Sequence, residues 1–430
     1  MKSLLSKATK IESNEVAAVL LSFLFIFSLM LAYNIMKPVR DAMAPDWSDA
    51  ETALLWTYNF FFSIVAVSLY GYAVSRARLK ILIPGVYAFF AVSFVLFYFG
   101  ANIVEDTQFI DKSFFLWISV FSLFHVSVFW SLMSDLFTKQ QAPRLFAFIA
   151  SGASIGTIAG SSATLILAKL VGTLNLMLIA ALVLVAIVPI VGILYRLKST
   201  RMQTATALND SDAIVSGNPL AGFRDFIRNP YLLGIALFIF LYTSIGSFAW
   251  FEIKNLMEPF ERDERTQMWA AINLTINVLA IATAMLATGR IATRFGLAKT
   301  LALVPIAVVL GFLMVAVNPI LTVIIVTWVV LKSGNYSITR PAREMLYTLV
   351  SREERFKAKP VIDIVVYRGG DTLAGWSFTG LTAGLGLGMG GVAVVGALIA
   401  VIWAVVGVYL GRKYAQGLET NNKEMTVGTS

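Results

Sequence analysis

The chain has no cysteine and a single histidine, His125. That excludes disulfides, thiolate metal sites, cysteine nucleophiles and any multi-histidine metal centre. Charge is scarce too. Asp, Glu, Lys and Arg make up 14% of the 430 residues, against about 25% in soluble domains. There is no phosphate-gripping G-x-x-x-x-G-K-[ST] loop, and the glycine-rich stretches lie inside apolar runs. With no catalytic cluster and no large polar domain to build one in, an enzyme is not expected, and no cofactor or metal is called for.

What the chain does have is apolar length. Apolar residues are 58% of it, more than the interior of a soluble protein of this size can absorb, so lipid must cover much of the surface. A span needs about 20 apolar residues. Twelve stretches qualify: 16–38, 52–74, 81–101, 113–136, 146–169, 173–195, 231–252, 268–288, 298–317, 319–338, 361–388 and 390–411. A polar segment rich in Ser, Thr, Asp, Asn and Gly separates the sixth from the seventh. The expected fold is therefore an all-α membrane protein of twelve transmembrane helices in two six-helix bundles. The expected boundaries are 1–197, a linker at 198–229, and 230–430. The basic opening MKSLLSKATK precedes a run too long for a signal-peptide core, so it is read as leading into a retained first span.

The net charge of +9 has a membrane explanation and does not call for nucleic acid. With both termini cytoplasmic, only Lys37, Arg40, Lys112, Lys169, Lys254, Arg262 and Arg265 fall on the far side, and Lys332 and Arg368 fall inside spans. All other Lys and Arg then face the cytoplasm, as the positive-inside rule requires. The expected location is a bacterial inner membrane, with the lipid bilayer as main partner, and the chain is read as a monomer.

The loop after span 2, GYAVSRARLK (71–80), and the loop after span 8, GRIATRFGLAK (289–299), share a pattern. Each has Gly, then four residues later Ser or Thr followed by Arg (Ser75-Arg76, Thr293-Arg294) and further bases. Their equivalent positions imply a parallel repeat of two halves. Gly152, Gly156 and Gly160 recur every four residues in SGASIGTIAG, which marks a helix-packing face.

NIMKPVRDAM (34–43) places Lys37, Arg40 and Asp41 at the end of span 1. A charge at the bilayer centre costs roughly 2.5–3.5 kcal/mol. Two arrangements answer that cost. The bases snorkel at the interface with Asp41 neutralising Arg40, or they line a cavity and attract an anion. Pro38 is expected to bend or break the helix there. Asp135 in span 4 is either a partner for Arg144 or another loop base, or a proton- or substrate-linked carboxylate. His125 is either a packing residue or a relay. Lys332 is a candidate cavity cation in span 10. Arg340 precedes Pro341, so that helix is expected to end or kink. Arg340, Arg343 and Glu344 are expected to form a gate network. In span 11, Asp363, Arg368 and Asp371 recur; an Arg368–Asp371 pair is expected, or an anionic ligand in its place. Glu252 and Lys254 are read as second-half counterparts of the charged end of span 1.

The GRIATRFGLAK loop resembles the cytoplasmic signature of the major facilitator superfamily, through Gly289, Ile291, Ala292, Arg294, Gly296 and Lys299, with Thr293 where the family carries an acid. The resemblance implies that Arg76 and Arg294 latch one conformation. A narrower resemblance is to the ATP/ADP translocase (nucleotide transporter) family. It rests on Lys37, Arg40 and Asp41 in span 1, on FWSLMSDLF (129–137) with Asp135, and on FKAKPVIDIVVYRGGD (356–371) with Lys357, Lys359, Asp363, Arg368 and Gly370. Asp371 stands where that family carries Lys, and no Glu occurs between Asp106 and Glu252 where it carries one in span 4. The resemblance implies a secondary transporter exchanging ATP and ADP across the membrane, an antiporter that binds nucleotide. The residues alone admit a proton-coupled facilitator of another small solute, with Asp41 or Asp135 carrying the proton. They also admit a membrane scaffold derived from a transporter.

Overall fold

The computed structural model describes residues 11–12, 14–76, 79–138, 140–201, 229–286, 288–350 and 361–427. Most of the expected linker, with Lys357 and Lys359, lies outside the described residues, as does the Asp363 side chain.

Among the described residues, six helices fall before residue 202: α1 (Val16–Met43), α2 (Asp49–Arg76), α3 (Leu79–Ile103), α4 (Gln108–Leu136), α5 (Ala142–Val171) and α6 (Asn175–Arg201). Six longer ones follow among the described residues: α7 (Pro230–Leu256), α8 (Arg262–Leu286), α9 (Thr288–Val317), α10 (Leu321–Gly334), α11 (Tyr367–Thr379) and α12 (Met389–Val427), with a short seventh helix, Arg340–Leu346, between α10 and α11. Every expected span has its helix, so the chain is an all-α protein with the twelve helices of a multi-pass membrane fold. Among the described residues, 11 helices are individually long and apolar enough to cross a membrane. The span at 361–388 is divided: a π-helical segment (Val361–Val366) leads into α11, and a second (Gly380–Gly384) follows it.

Helix starts are written locally. Ser48 and Glu51 form a reciprocal capping box before α2: Ser48 N donates to Glu51 Oε2 at 2.9 Å and Glu51 N to Ser48 Oγ at 3.2 Å. Asn229 caps α7 by accepting from Tyr231 N and Leu232 N, with Pro230 in the first turn. In the 289–299 loop, Gly296 takes φ 74°, a left-handed conformation that lets the chain kink inside α9.

Neither of the two prolines ends its span. Pro38 does not break the first helix, which runs unbroken to Met43 and continues as a 3₁₀ turn, Ala44–Asp46. Proline removes one hydrogen bond, the one Asn34 C=O would accept. The surrounding Asn34, Ile35, Met36 and Val39 are all buried, and their packing holds the helix across the gap. Pro341 does not end its span either. The five residues Asn335–Thr339 adopt a π turn, and the helix resumes over Arg340–Leu346.

The glycine stripe on α5 packs as expected. A Cβ at Gly152 would sit 2.7 Å from the Phe23 carbonyl oxygen and one at Gly160 2.6 Å from that of Leu31, while Gly156 lies against Phe27 O. No side chain fits on that stripe, so α1 and α5 touch backbone to backbone. α9 and α12 do the same, with Gly407 against Leu301 and Gly411 against the Ala298 backbone.

By packing, the chain forms two compact units. The first comprises Met1–Asp46, Phe61–Ala213 and Phe260–Leu274; the second comprises Trp47–Phe60, Ile214–Pro259 and Thr275–Ser430. The start of α2 therefore packs with the later half of the chain, and the start of α8 with the earlier half. Trp56 of α2 lies 5.2 Å from Trp250 and 5.0 Å from Phe251 of α7, ring to ring. Trp376 of α11 donates to Thr57 at 2.9 Å.

Candidate functional site

In the first unit, the charged end of α1 is closely partnered. Arg40 donates to Asp41 Oδ1 through Nε (3.0 Å) and Nη2, and to Ser119 Oγ at 3.3 Å. Its guanidinium also lies 5.1 Å from the centre of the Phe115 ring. Asp41 is buried. Among the described residues Lys37 has no carboxylate against it; its ammonium donates to Asn273 Oδ1 at 2.8 Å. His125 stacks on Tyr33 with ring centres 4.4 Å apart and packs beside Phe121. Asp135 pairs with Lys198 at the end of α6, at 2.9 Å. Arg144, the other base considered for it, binds Glu12 and Glu15 instead.

The same unit holds a cluster that sequence spacing does not reveal. Arg262 bridges Asp46 (2.8 Å) and Asp111 (2.9 Å), and Arg265 adds a second contact to Asp46. Thr173 N donates to Asp263 Oδ1 at 2.8 Å. These contacts join the ends of α1, α4, α5 and α8. Their members are up to 219 positions apart, so no local pattern could announce them.

In the second unit the charges are arranged differently. The Lys332 ammonium sits 4.3 Å from the centre of the Trp328 ring and 5.0 Å from that of Tyr242, and it donates to Tyr242 OH at 3.4 Å. Gly246 makes room for it: a Cβ there would lie 3.1 Å from Nζ. Tyr367 of α11 packs beside Tyr242. No carboxylate pairs with Lys332 among the described residues. The expected Arg368–Asp371 pair does not form. Asp371 instead accepts from Ser247 Oγ of α7 at 3.3 Å. The half-buried Arg368 guanidinium has no ion-pair partner among the described residues.

The network expected of Arg340, Arg343 and Glu344 is not formed between them. Arg343 is 8% exposed and its Nε has no hydrogen-bond partner among the described residues, while Arg340 is exposed. Neither arginine ion-pairs with Glu344. Arg343 turns into the packed interior, so it does not share the surface on which Arg340 and Glu344 would meet. Arg76 and Arg294 are exposed and lie over the neighbouring Tyr72 and Phe295 rings. Lys254 is buried and pairs with Asp49 at 3.0 Å; Asn255 and Thr382 bind the same carboxylate. Glu252 is fully buried, and neither carboxylate oxygen has a partner among the described residues.

In the second unit Lys332 lies against tyrosine and tryptophan faces, and among the described residues no acid ion-pairs with Lys332, Arg343 or Arg368. Chemically, that is a surface for an anionic or aromatic solute.

Comparison with known proteins agrees with the fold. Residues 18–355 match the family model of the Major Facilitator Superfamily. No curated protein matches the chain in sequence. Among solved structures, the bacterial homologue of the human lysosomal transporter Spinster is similar over 95% of this chain and 99% of its own, with 13% identity and a TM-score of 0.60. The nucleoside transporter NupG is similar over 95% and 99%, with 15% identity and a TM-score of 0.60. The POT family transporter PepTSo is similar over 92% and 98%, with 13% identity and the same TM-score of 0.60. At such identities the likeness is one of fold. The family match reaches the superfamily level, above the ATP/ADP translocase group. The chain belongs to the Major Facilitator Superfamily of membrane transporters.

Proposed function

We propose that the protein is a secondary transporter that moves an anionic solute by alternating access, with ATP:ADP-type nucleotide exchange as the narrower reading. The observation that carries it is the pair Lys332 and Arg368. Both sit within the spans, and neither has a carboxylate among the described residues. A cation held in a membrane without a counter-charge is costly, and an anionic ligand removes that cost. Tyr242, Trp328 and Tyr367 beside Lys332 supply ring faces on which a base could stack. Within the first unit, taken by itself, the Lys37 ammonium donates to Asn273 Oδ1 and has no carboxylate partner among the described residues. Arg76 and Arg294 would act in the gate. The narrower reading rests on the motif resemblance in spans 1, 4 and 11, and the similarity of fold to a nucleoside transporter is compatible with it.

Both termini are proposed to face the cytoplasm of a bacterial cell, with the protein in the inner membrane, on the Lys/Arg distribution. The test is exchange in proteoliposomes against a panel of radiolabelled ATP, ADP, AMP and adenosine. Exchange of a phosphorylated purine that is blocked by Lys332→Met supports the narrower reading. Failure of every purine nucleotide to exchange removes it, and uptake of adenosine alone removes the anionic requirement as well.

A further inference from the structure

Glu252 lies one turn before the end of α7 and is fully buried, with both oxygens unpartnered among the described residues. At about 100° per residue, it shares a helix face with Gly234, Phe238, Leu241, Ile245 and Phe248. Gly234 lies against Leu410 and Phe238 packs on Trp403, so the early part of this face meets α12, while Phe248, one turn before Glu252, packs on Phe378 of α11. From Met389 to Val408, α12 contains no titratable side chain. A carboxyl group has thus been placed on the apolar stripe of a membrane helix.

The charged and titratable groups on the surrounding elements are occupied or distant. On α11, Asp371 accepts from Ser247, while Tyr367 and Arg368 lie further from the 257–261 turn. On α10, Lys332 is held at Tyr242 and Trp328. At the start of α2, Asp49 is bound by Lys254, Asn255 and Thr382, Glu51 caps Ser48, and Tyr58 is exposed. Lys254, two residues on, points to nearly the opposite side of α7. An ionised carboxylate in such a place would be prohibitively costly, whereas the neutral acid is tolerated. Structurally the acid gains nothing there, since neither oxygen makes a hydrogen bond among the described residues.

We propose that Glu252 is a proton-binding site of the transporter, gated by the Lys254–Asp49 pair at the same end of α7. While that pair is closed, the carboxyl holds its proton. When the pair opens and water enters, the O–H bond breaks, the electron pair stays on the carboxylate and the proton passes to water. Its place in a transport cycle rests on the transporter reading, but the site itself does not. It also differs from the carboxylates favoured by sequence, since Asp41 and Asp135 each have a base against them.

The test is infrared spectroscopy of the purified full chain across pH, which needs no solute. Wild type minus Glu252→Gln should show a protonated-carboxyl stretch at acidic pH that gives way to carboxylate bands at alkaline pH. If Glu252→Gln does not fold, Glu252→Asp shifts the same band and assigns it equally. Carboxylate bands at every pH, or a carboxyl band unaffected by either variant, overturn the site. The gate is tested with Lys254→Gln. Loss of a nearby cation acting through charge alone would raise the titration midpoint of Glu252, whereas entry of water lowers it. A fall in midpoint supports the gate; no change or a rise overturns it. Failure of the exchange panel with a clean Glu252 titration would reject the solute assignment and leave the proton site standing.

Discussion

The two units handle buried charge in different ways. In the first, apart from Lys37 on the Asn273 amide, acids and bases are matched: Asp41 with Arg40, Asp135 with Lys198, and Asp46 and Asp111 with Arg262. In the second, Lys254 and Asp49 are matched, but Lys332 and Arg368 have no acid and Glu252 has no base among the described residues. Matched charges inside a protein tie elements together, and removing one partner strands the other. Unmatched charges contribute little to holding a fold and are retained for what they bind. The contrast separates a unit whose charges brace it from one whose charges await a ligand.

The sharpest way to break that contrast is Lys332→Met or Arg368→Gln. Exchange of the transported anion should fall about a hundredfold, as expected for losing a desolvated charge contact, while the melting temperature of the purified protein stays close to wild type. A large drop in melting temperature would place these cations among the braces. Next comes Arg262→Gln, which leaves the buried Asp111 without its base. Unfolding free energy should fall by on the order of 3 kcal/mol, read as a lower melting temperature. Arg40→Ala should combine the two behaviours. Exchange is lost, and stability falls by about 2 kcal/mol as Asp41 loses its partner; normal exchange in this variant would remove Arg40 from the solute path. The smallest effect is expected from Lys169→Ala. Its pair with Glu264 is half exposed, at 54% and 38%, so stability should stay within about 0.5 kcal/mol of wild type.

The spans were legible in the sequence because length and hydropathy alone demand them. The α5 glycines were legible because a four-residue repeat of small residues leaves one helix face bare. Side-chain pairing was far less so. Arg368 and Asp371 have the spacing of a helical pair, yet Ser247 on another helix competes for the acid. Asp111 and Arg262 meet only because of the way α4 and α8 pack, which no spacing encodes. Glu252 reads in sequence as a companion of Lys254, but two positions along a helix place side chains on nearly opposite sides. The continuity of α1 through Pro38 was hidden because the burial that stabilises it is tertiary. The π turns carry no residue signature that local propensity could detect.

One of those π turns has a mechanical consequence. Asn335–Thr339 accommodates one residue more than an α-helical turn would. The two stretches of span 10 are therefore out of phase by about 100°, with Lys332 on one side of the slip and Arg343 on the other. If the extra residue were passed along the helix by a single position, every side chain it crossed would swing to a new azimuth with little change in span length. Span 10 thus has a built-in vernier, a way to re-aim its cations by rotation without lifting the helix from its neighbours.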